Sequence, residues 1–175
     1  MTAIIGLDLS LTASGVARID DEPRCWRVRS KGKSTDTLAQ RSNRLARIDE
    51  EIRFAIPAGA AIAIESAAHA ASTGHHHDRS GLWWLVVNTL VEQDHRVYEF
   101  TPTQVKKYAT GRGNASKMEV MAAVIKRYPQ FDVADDNEAD AVVLAAMLAR
   151  ALGQPIEESL PQVNASTLAT FRRLT

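Results

Sequence analysis

Ala3-Ile4-Ile5-Gly6-Leu7-Asp8-Leu9-Ser10-Leu11-Thr12-Ala13-Ser14-Gly15 decides how the chain is read. Ala3 to Leu9 is a short apolar run that reads as a buried strand. Asp8 interrupts it at its end. Ser10 to Ser14 is a tight connection, and Gly15 to Ile19 reads as a second strand, so the two form a hairpin. Cys25 to Val28 supplies a third strand. Asp36 to Phe54 is helical, with Leu38, Leu45, Ile48 and Ile52 on one stripe and Arg41, Arg44 and Arg47 on another face. Ala60 to Glu65 is a fourth strand, apolar until it too ends in a carboxylate.

Beyond it, residues 66 to 80 are small, polar and His-rich, and read as a loop or a frayed helix start. Gly81 to Gln93 is an apolar helix, and Arg96 to Phe100 a fifth strand. Pro102 begins a short helix to Tyr108. Thr110-Gly111-Arg112-Gly113-Asn114 is a loop. Ser116-Lys117-Met118-Glu119 has the capping-box pattern and opens a helix that Pro129 ends near Tyr128. A final helix starts near Asp135, its N-cap with Glu138 at N3. Ala139, Val142, Val143, Ala146 and Met147 form its apolar face, and Gly153 and Pro155 close it. Three strands, then helix, strand, helix, strand and helices call for an α/β fold, one five-stranded mixed sheet flanked by helices. Residues 1–153 make this domain; residues 154–175 have no strong pattern and read as a C-terminal extension.

Composition narrows the class. The chain has 175 residues, 45% hydrophobic and 24% charged, as in an ordinary globular domain. Cys25 is the only cysteine, which excludes an internal disulfide and a multi-cysteine zinc site and suits a reducing compartment. No run approaches a membrane span, and the first residues lack a basic signal region. The expected location is the cytoplasm of a bacterial or phage-infected cell. The formal net charge is zero, so bulk charge does not argue for a polyanionic partner. Its distribution does. Arg27, Arg29, Lys31, Lys33, Arg41, Arg44 and Arg47 face one acid, Asp36. Lys106, Lys107, Arg112, Lys117, Lys126 and Arg127 face Glu119 alone. Such stretches beside acidic clusters suit either a phosphate-binding surface or solvated helix faces.

Asp8, Glu65 and Asp140 each interrupt apolar structure. A buried carboxylate is costly unless paired, hydrogen-bonded or metal-bound. Two strand-end acids meeting a third from a helix would form a hard-oxygen site for Mg²⁺ or Mn²⁺. Alone, each has a plainer reading: a strand end that faces water, or an exposed helix position.

These residues also carry a family resemblance. Ile5 to Gly15 resembles the first motif of the RuvC-type Holliday-junction resolvases, nucleases of the RNase H-like superfamily. Ala63-Ile64-Glu65 is similar to the second. Tyr98 to Lys107, followed by Gly111-Arg112-Gly113-Asn114-Ala115-Ser116-Lys117, resembles the basic motif, and Asp140-Ala141 after Asn137 the last. The resemblance runs from about residue 3 to 150. It implies an RNase H-like fold and a homodimer that nicks two strands of a four-way junction, leaving 5′-phosphate and 3′-hydroxyl ends. It implies Asp8, Glu65 and Asp140 as ligands of Mg²⁺ (or Mn²⁺), two ions per site, and Lys106 and Lys117 beside the scissile phosphate. Lys107 and Arg112 complete the expected DNA contacts.

Two departures mark a divergent, phage-type member. The family places an acid, or sometimes His, where this chain has Asn137, so the fourth ligand is either Asn137 or Asp136, one turn before Asp140. The segment after Glu65 carries His75-His76-His77-Asp78-Arg79 in place of the family's Gly-Gln-Ala-Arg-Gly pattern. Three consecutive histidines cannot easily face one ion and read as a polar loop. Trp83 and Trp84 point about 100° apart on a helix, so one is expected in the core. Gly111 to Lys117 is not a phosphate-binding P-loop, since Met118 stands where Ser or Thr is needed. Competing functions are a catalytically weak branched-DNA-binding protein on the same fold, a flap or branch nuclease, and a fragment of an actin-like ATPase.

Overall fold

The computed structural model describes residues 2–67, 76–170 and 172–173. Strands β1 (Ile4–Asp8), β2 (Ala13–Ile19) and β3 (Arg24–Arg29) form an antiparallel meander, β1 pairing with β2 from Ile4↔Ile19 to Asp8↔Gly15. Helix α1 (Leu38–Phe54) then crosses to β4 (Ala61–Glu65), which lies parallel to β1 with Leu7 opposite Ile64. Helix α2 (His76–Glu92) leads to β5 (Arg96–Phe100), parallel to β4. Helices α3 (Pro102–Thr110), α4 (Lys117–Arg127) and α5 (Asp136–Ala151) follow. The C-terminal residues add α6 (Gln162–Ala165), a 3-10 turn (Ser166–Thr170) and β6 (Arg172–Arg173). The sheet order is β3-β2-β1-β4-β5-β6. All five expected strands are present, and the two-residue β6 adds a sixth, antiparallel to β5.

Alternation along the central strands divides the core into two layers. Ile5, Leu7, Ile62, Ile64 and Val97 point one way, toward Ile48 and Ile52 of α1 and Leu82, Val86 and Leu90 of α2. Ile4, Ala61, Ala63 and Phe100 point the other way, toward α3, α4 and α5. Central strands buried on both faces read as near-continuous apolar runs, as β1 and β4 do.

Helix α5 sits directly on the sheet. From Ala141 to Ala149 every residue is buried, so it has no solvent face over that stretch. The single apolar face expected from the sequence is therefore too narrow. The helix is enclosed by the sheet beneath and by α3 and α4, which share its core layer. Its close approach needs glycine at two points. A Cβ on Gly6 would lie 2.0 Å from the Ala141 carbonyl oxygen, and one on Gly15 would lie 2.0 Å from that of Asn137.

Three further expectations are corrected. Helix α1 begins at Leu38, because Thr37 and Gln40 form a capping box there. Leu38 lies in that first turn and is exposed, not on the buried stripe. Helix α2 starts at His76, five residues before Gly81, and Asp78 in its first turn is clasped by Arg41 of α1. Beyond residue 153 the described residues, 154–170 and 172–173, carry regular structure. Asn164 donates to the Tyr108 carbonyl at 2.7 Å, and Gln104 to that of Thr167 at 3.3 Å. No described helix is long and apolar enough to cross a membrane.

Candidate active site

Strand parity aims two carboxylates at one place. Ile4, Gly6 and Asp8 share one face of β1, and Ala61, Ala63 and Glu65 share the same face of β4. Asp8 and Glu65 end adjacent parallel strands, on the side where α5 lies. Asp140 immediately precedes Ala141, whose carbonyl rests over Gly6. The small residues under α5 thus bring a helical carboxylate toward two strand-end ones. The carboxyl ends of parallel strands are a common place for ligand sites in α/β sheets.

The electrostatics report the convergence. Burial, then repulsion from Asp140, raises the Asp8 carboxyl to about 7. Burial, then Asp8 and Asp140, raises Glu65 to about 8. Burial raises Asp140 to about 6 against the lowering pull of Lys117 and Lys106. Lys117 therefore sits within the field of all three acids, and Lys106 within that of Glu65 and Asp140. Lys106 is carried by α3, which a Thr101–Gln104 capping box starts and Gly111, at φ 84°, stops. Lys117 opens α4 behind its Ser116–Glu119 capping box. Its ammonium pairs with Asp136, holding that carboxyl below the usual range.

Other expected site residues stand elsewhere. Arg112 is exposed and pairs with Glu119 of α4. Lys107 lies on the same short helix as Lys106 but does not figure in the field of the carboxylates. Asn137 presents its backbone carbonyl to Gly15. Asp135 caps α5, accepting from Glu138 N–H at 3.0 Å, and with Glu138 holds Arg27 of β3. His75 lies outside the described residues; His76 and His77 are exposed in the first turn of α2.

The sequence missed the wall of the site. Asp8, Leu9, Glu65, Ser66 and Ala67 line a pocket of about 160 Å³ closed by His76, Arg79, Ser80 and Trp83 of α2. Trp83 is buried and donates its indole N–H to the Glu65 carbonyl at 2.8 Å. Trp84, edge-on to it, is 65% exposed. The signal for Trp83 was present in the 100° divergence of the pair; nothing local pointed to Arg79 or Ser80.

Hard oxygens, burial and mutual repulsion fit a divalent cation in donor chemistry. Among the described residues the side chains as they stand do not close three or more such groups around one point. Ligation would draw Asp8, Glu65 and Asp140 together.

A mixed sheet in this order, with carboxylates at the strand ends under a covering helix, defines an RNase H-like fold. Solved structures share it. A Thermus thermophilus RuvC structure covers 87% of this chain and 98% of its own, with TM-score 0.61 and 21% identity. T. thermophilus RuvC in complex with Holliday junction substrate covers 88% and 98%, with TM-score 0.62 and 20% identity.

Residues 4–147 match the family model of crossover junction endodeoxyribonuclease RuvC, and the chain belongs to that family of metal-dependent nucleases. The RuvC of Chlamydia trachomatis serovar A is 45% identical over 73 residues, 39% of this chain and 42% of that protein. That of Chlamydia muridarum is 50% identical over 56 residues, 30% and 33% respectively. The aligned stretches thus span less than half the length of these relatives.

Proposed function

We infer that this chain is a structure-selective DNA endonuclease that resolves four-way junctions by paired nicks. The observation that supports the reading is that buried Asp8, Glu65 and Asp140, from three elements, lie within electrostatic reach of one another and of Lys117, with Lys106 near Glu65 and Asp140, in a chain of the RuvC family. Asp8, Glu65 and Asp140 hold Mg²⁺ or Mn²⁺, two ions per site, with Asn137 or Asp136 as fourth ligand. When bound, such ions supply positive charge at the scissile phosphate and lower the pKa of a nucleophilic water. Lys106 and Lys117 orient the phosphate and offset its charge. In-line hydrolysis leaves 5′-phosphate and 3′-hydroxyl ends. Paired nicks call for a homodimer, and α2 offers exposed Trp84 and Val91 for it.

A second reading, a branched-DNA-binding protein of weak activity, is favoured by the neutral Asn137 and by the hold of Lys117 on Asp136. The deciding experiment is nicking of a four-way junction, a flap and a linear duplex with Mg²⁺, Mn²⁺ or EDTA, by wild type and Asp8→Asn. Paired metal-dependent nicks at the junction, lost in the variant, are expected. Cleavage confined to flaps changes the substrate. Binding without cleavage in either metal selects the second reading, and cleavage retained by Asp8→Asn overturns the assigned site.

A further inference from the structure

The basic stretch between Arg27 and Arg47 has no place in the carboxylate site. Its Lys31, Lys33, Arg41 and Arg44 line instead a second, larger concavity of about 1100 Å³. This cleft lies between the β1–β2 turn, the chain from Ser30 to Asp36, and the facing N-terminal turns of α1 and α2. Lys31 and Lys33 reach it from the loop, Arg41 and Arg44 from α1, and Arg79 from α2. The acids there are Asp36 and Asp78, so the lining is positive by three charges.

Both acids are already engaged. Arg41 clasps Asp78 through both carboxylate oxygens. Asp36 accepts from the Lys33 backbone N–H at 2.8 Å. Arg44 is held differently: it donates to the Ser30 hydroxyl at 2.6 Å and to the Leu11 carbonyl, both neutral. A guanidinium fixed by neutral oxygens keeps its charge and holds its remaining N–H donors in place, which suits a phosphate contact.

Position and size say what fits. Arg79 lines both this cleft and the carboxylate pocket, so the two are contiguous. Small-molecule pockets run to roughly 300–1,000 Å³. This one is larger, and it is walled by cations and by the hydroxyls of Ser10, Thr12 and Ser34. An extended polyanion that leaves the carboxylate site would enter it at Arg79.

We propose that this cleft binds the sugar–phosphate backbone of the DNA arm next to the scissile phosphate, with Lys31, Lys33 and Arg44 as its phosphate contacts. The inference rests on the nuclease reading above and adds a substrate track to it. Contacts of this kind position the duplex without reading its bases. They also release counterions, so they set the salt dependence of binding.

The test is fluorescence anisotropy of a labelled four-way junction across a salt series in Mg²⁺, with Asp8→Asn as the parent. The same measurement is made after adding Lys31→Ala and Lys33→Ala. The slope of log affinity against log salt is expected to become shallower by about 4, two lysines from each protomer of the dimer. The affinity lost on a fourfold rise in salt then shrinks by about a hundredfold. Lys31→Arg with Lys33→Arg restores the parent slope, which separates charge from damage to the fold. A junction bound with unchanged slope overturns the cleft and leaves the nuclease reading standing. A slope lost but not restored by arginine also overturns the cleft. A parent that binds no junction overturns both.

Discussion

Gly6 shows how much of the site depends on one missing side chain. Its Cα faces the backbone of α5, and any Cβ there would overlap the Ala141 carbonyl oxygen at 2.0 Å and the Ala145 amide at 2.6 Å. Backbone atoms cannot rotate away as a side-chain tip can. Gly6→Ala must therefore lift α5 from the sheet, and overpacking of this kind costs about 1–3 kcal/mol. The helix that moves also carries Asp140, so junction nicking should fall by more than the stability loss alone would give. Urea denaturation and single-turnover nicking check the two effects separately. Stability within about 0.5 kcal/mol of wild type would mean that α5 is not seated as described.

Helix α3 carries Lys106, and the C-terminal segment holds that helix from behind. Tyr108 of α3 and Tyr128 after α4 both donate to the Glu157 carboxylate, Tyr108 at 2.7 Å, and Arg150 of α5 pairs with it at 3.0 Å. Glu157 lies only two residues into the segment after Pro155, and its side chain is 2% exposed. Removing one partner from a buried charged network costs about 3–5 kcal/mol, because the others are left without an acceptor. Glu157→Ala should lower stability by about that amount, and Glu157→Gln, which keeps one oxygen, by less. Denaturant midpoints check both; an unchanged midpoint in Glu157→Ala would remove the network from the fold's support. This network was not legible in the sequence. A single glutamate in an unpatterned tail carries no period, and β6 is too short for an alternation to show. The central elements were legible for the opposite reason. Apolar runs of five residues with an acid at the end mark strand and burial at once and put a carboxyl at the strand end, as in β1 and β4. Capping boxes marked the start of α4 in the same direct way. Arg79, Ser80 and the Arg44 cleft escaped because their neighbours come from elements far apart in sequence.

At the scale of the molecule, three like-charged groups in one place set a load on the fold that varies with pH. Asp8, Glu65 and Asp140 have folded-state values near 7, 8 and 6, all above their ordinary range, first through burial and then, for Asp8, through Asp140 and, for Glu65, through Asp8 and Asp140. The folded protein therefore holds more protons than the unfolded chain between about pH 4 and 8. Stability falls with pH wherever the native state binds the extra protons. The contribution of these carboxyls is full below the unfolded values and is lost as pH rises through 6 to 8. Because they interact, they titrate as a group rather than singly. In EDTA the melting temperature should decline over this window. Asp8→Asn should flatten the decline and, at pH 8, exceed wild type by on the order of 1–2 kcal/mol, or about 2–8 °C. A divalent cation reverses the dependence, since it binds the deprotonated carboxylates and competes with the same protons. The rise in melting temperature on adding Mg²⁺ should thus grow from pH 6 to pH 8 in wild type and shrink sharply in Asp8→Asn. Scanning calorimetry over that range checks both limbs. A metal-induced shift that is equal at both pH values, or untouched by Asp8→Asn, would show that the cation binds away from these three carboxylates.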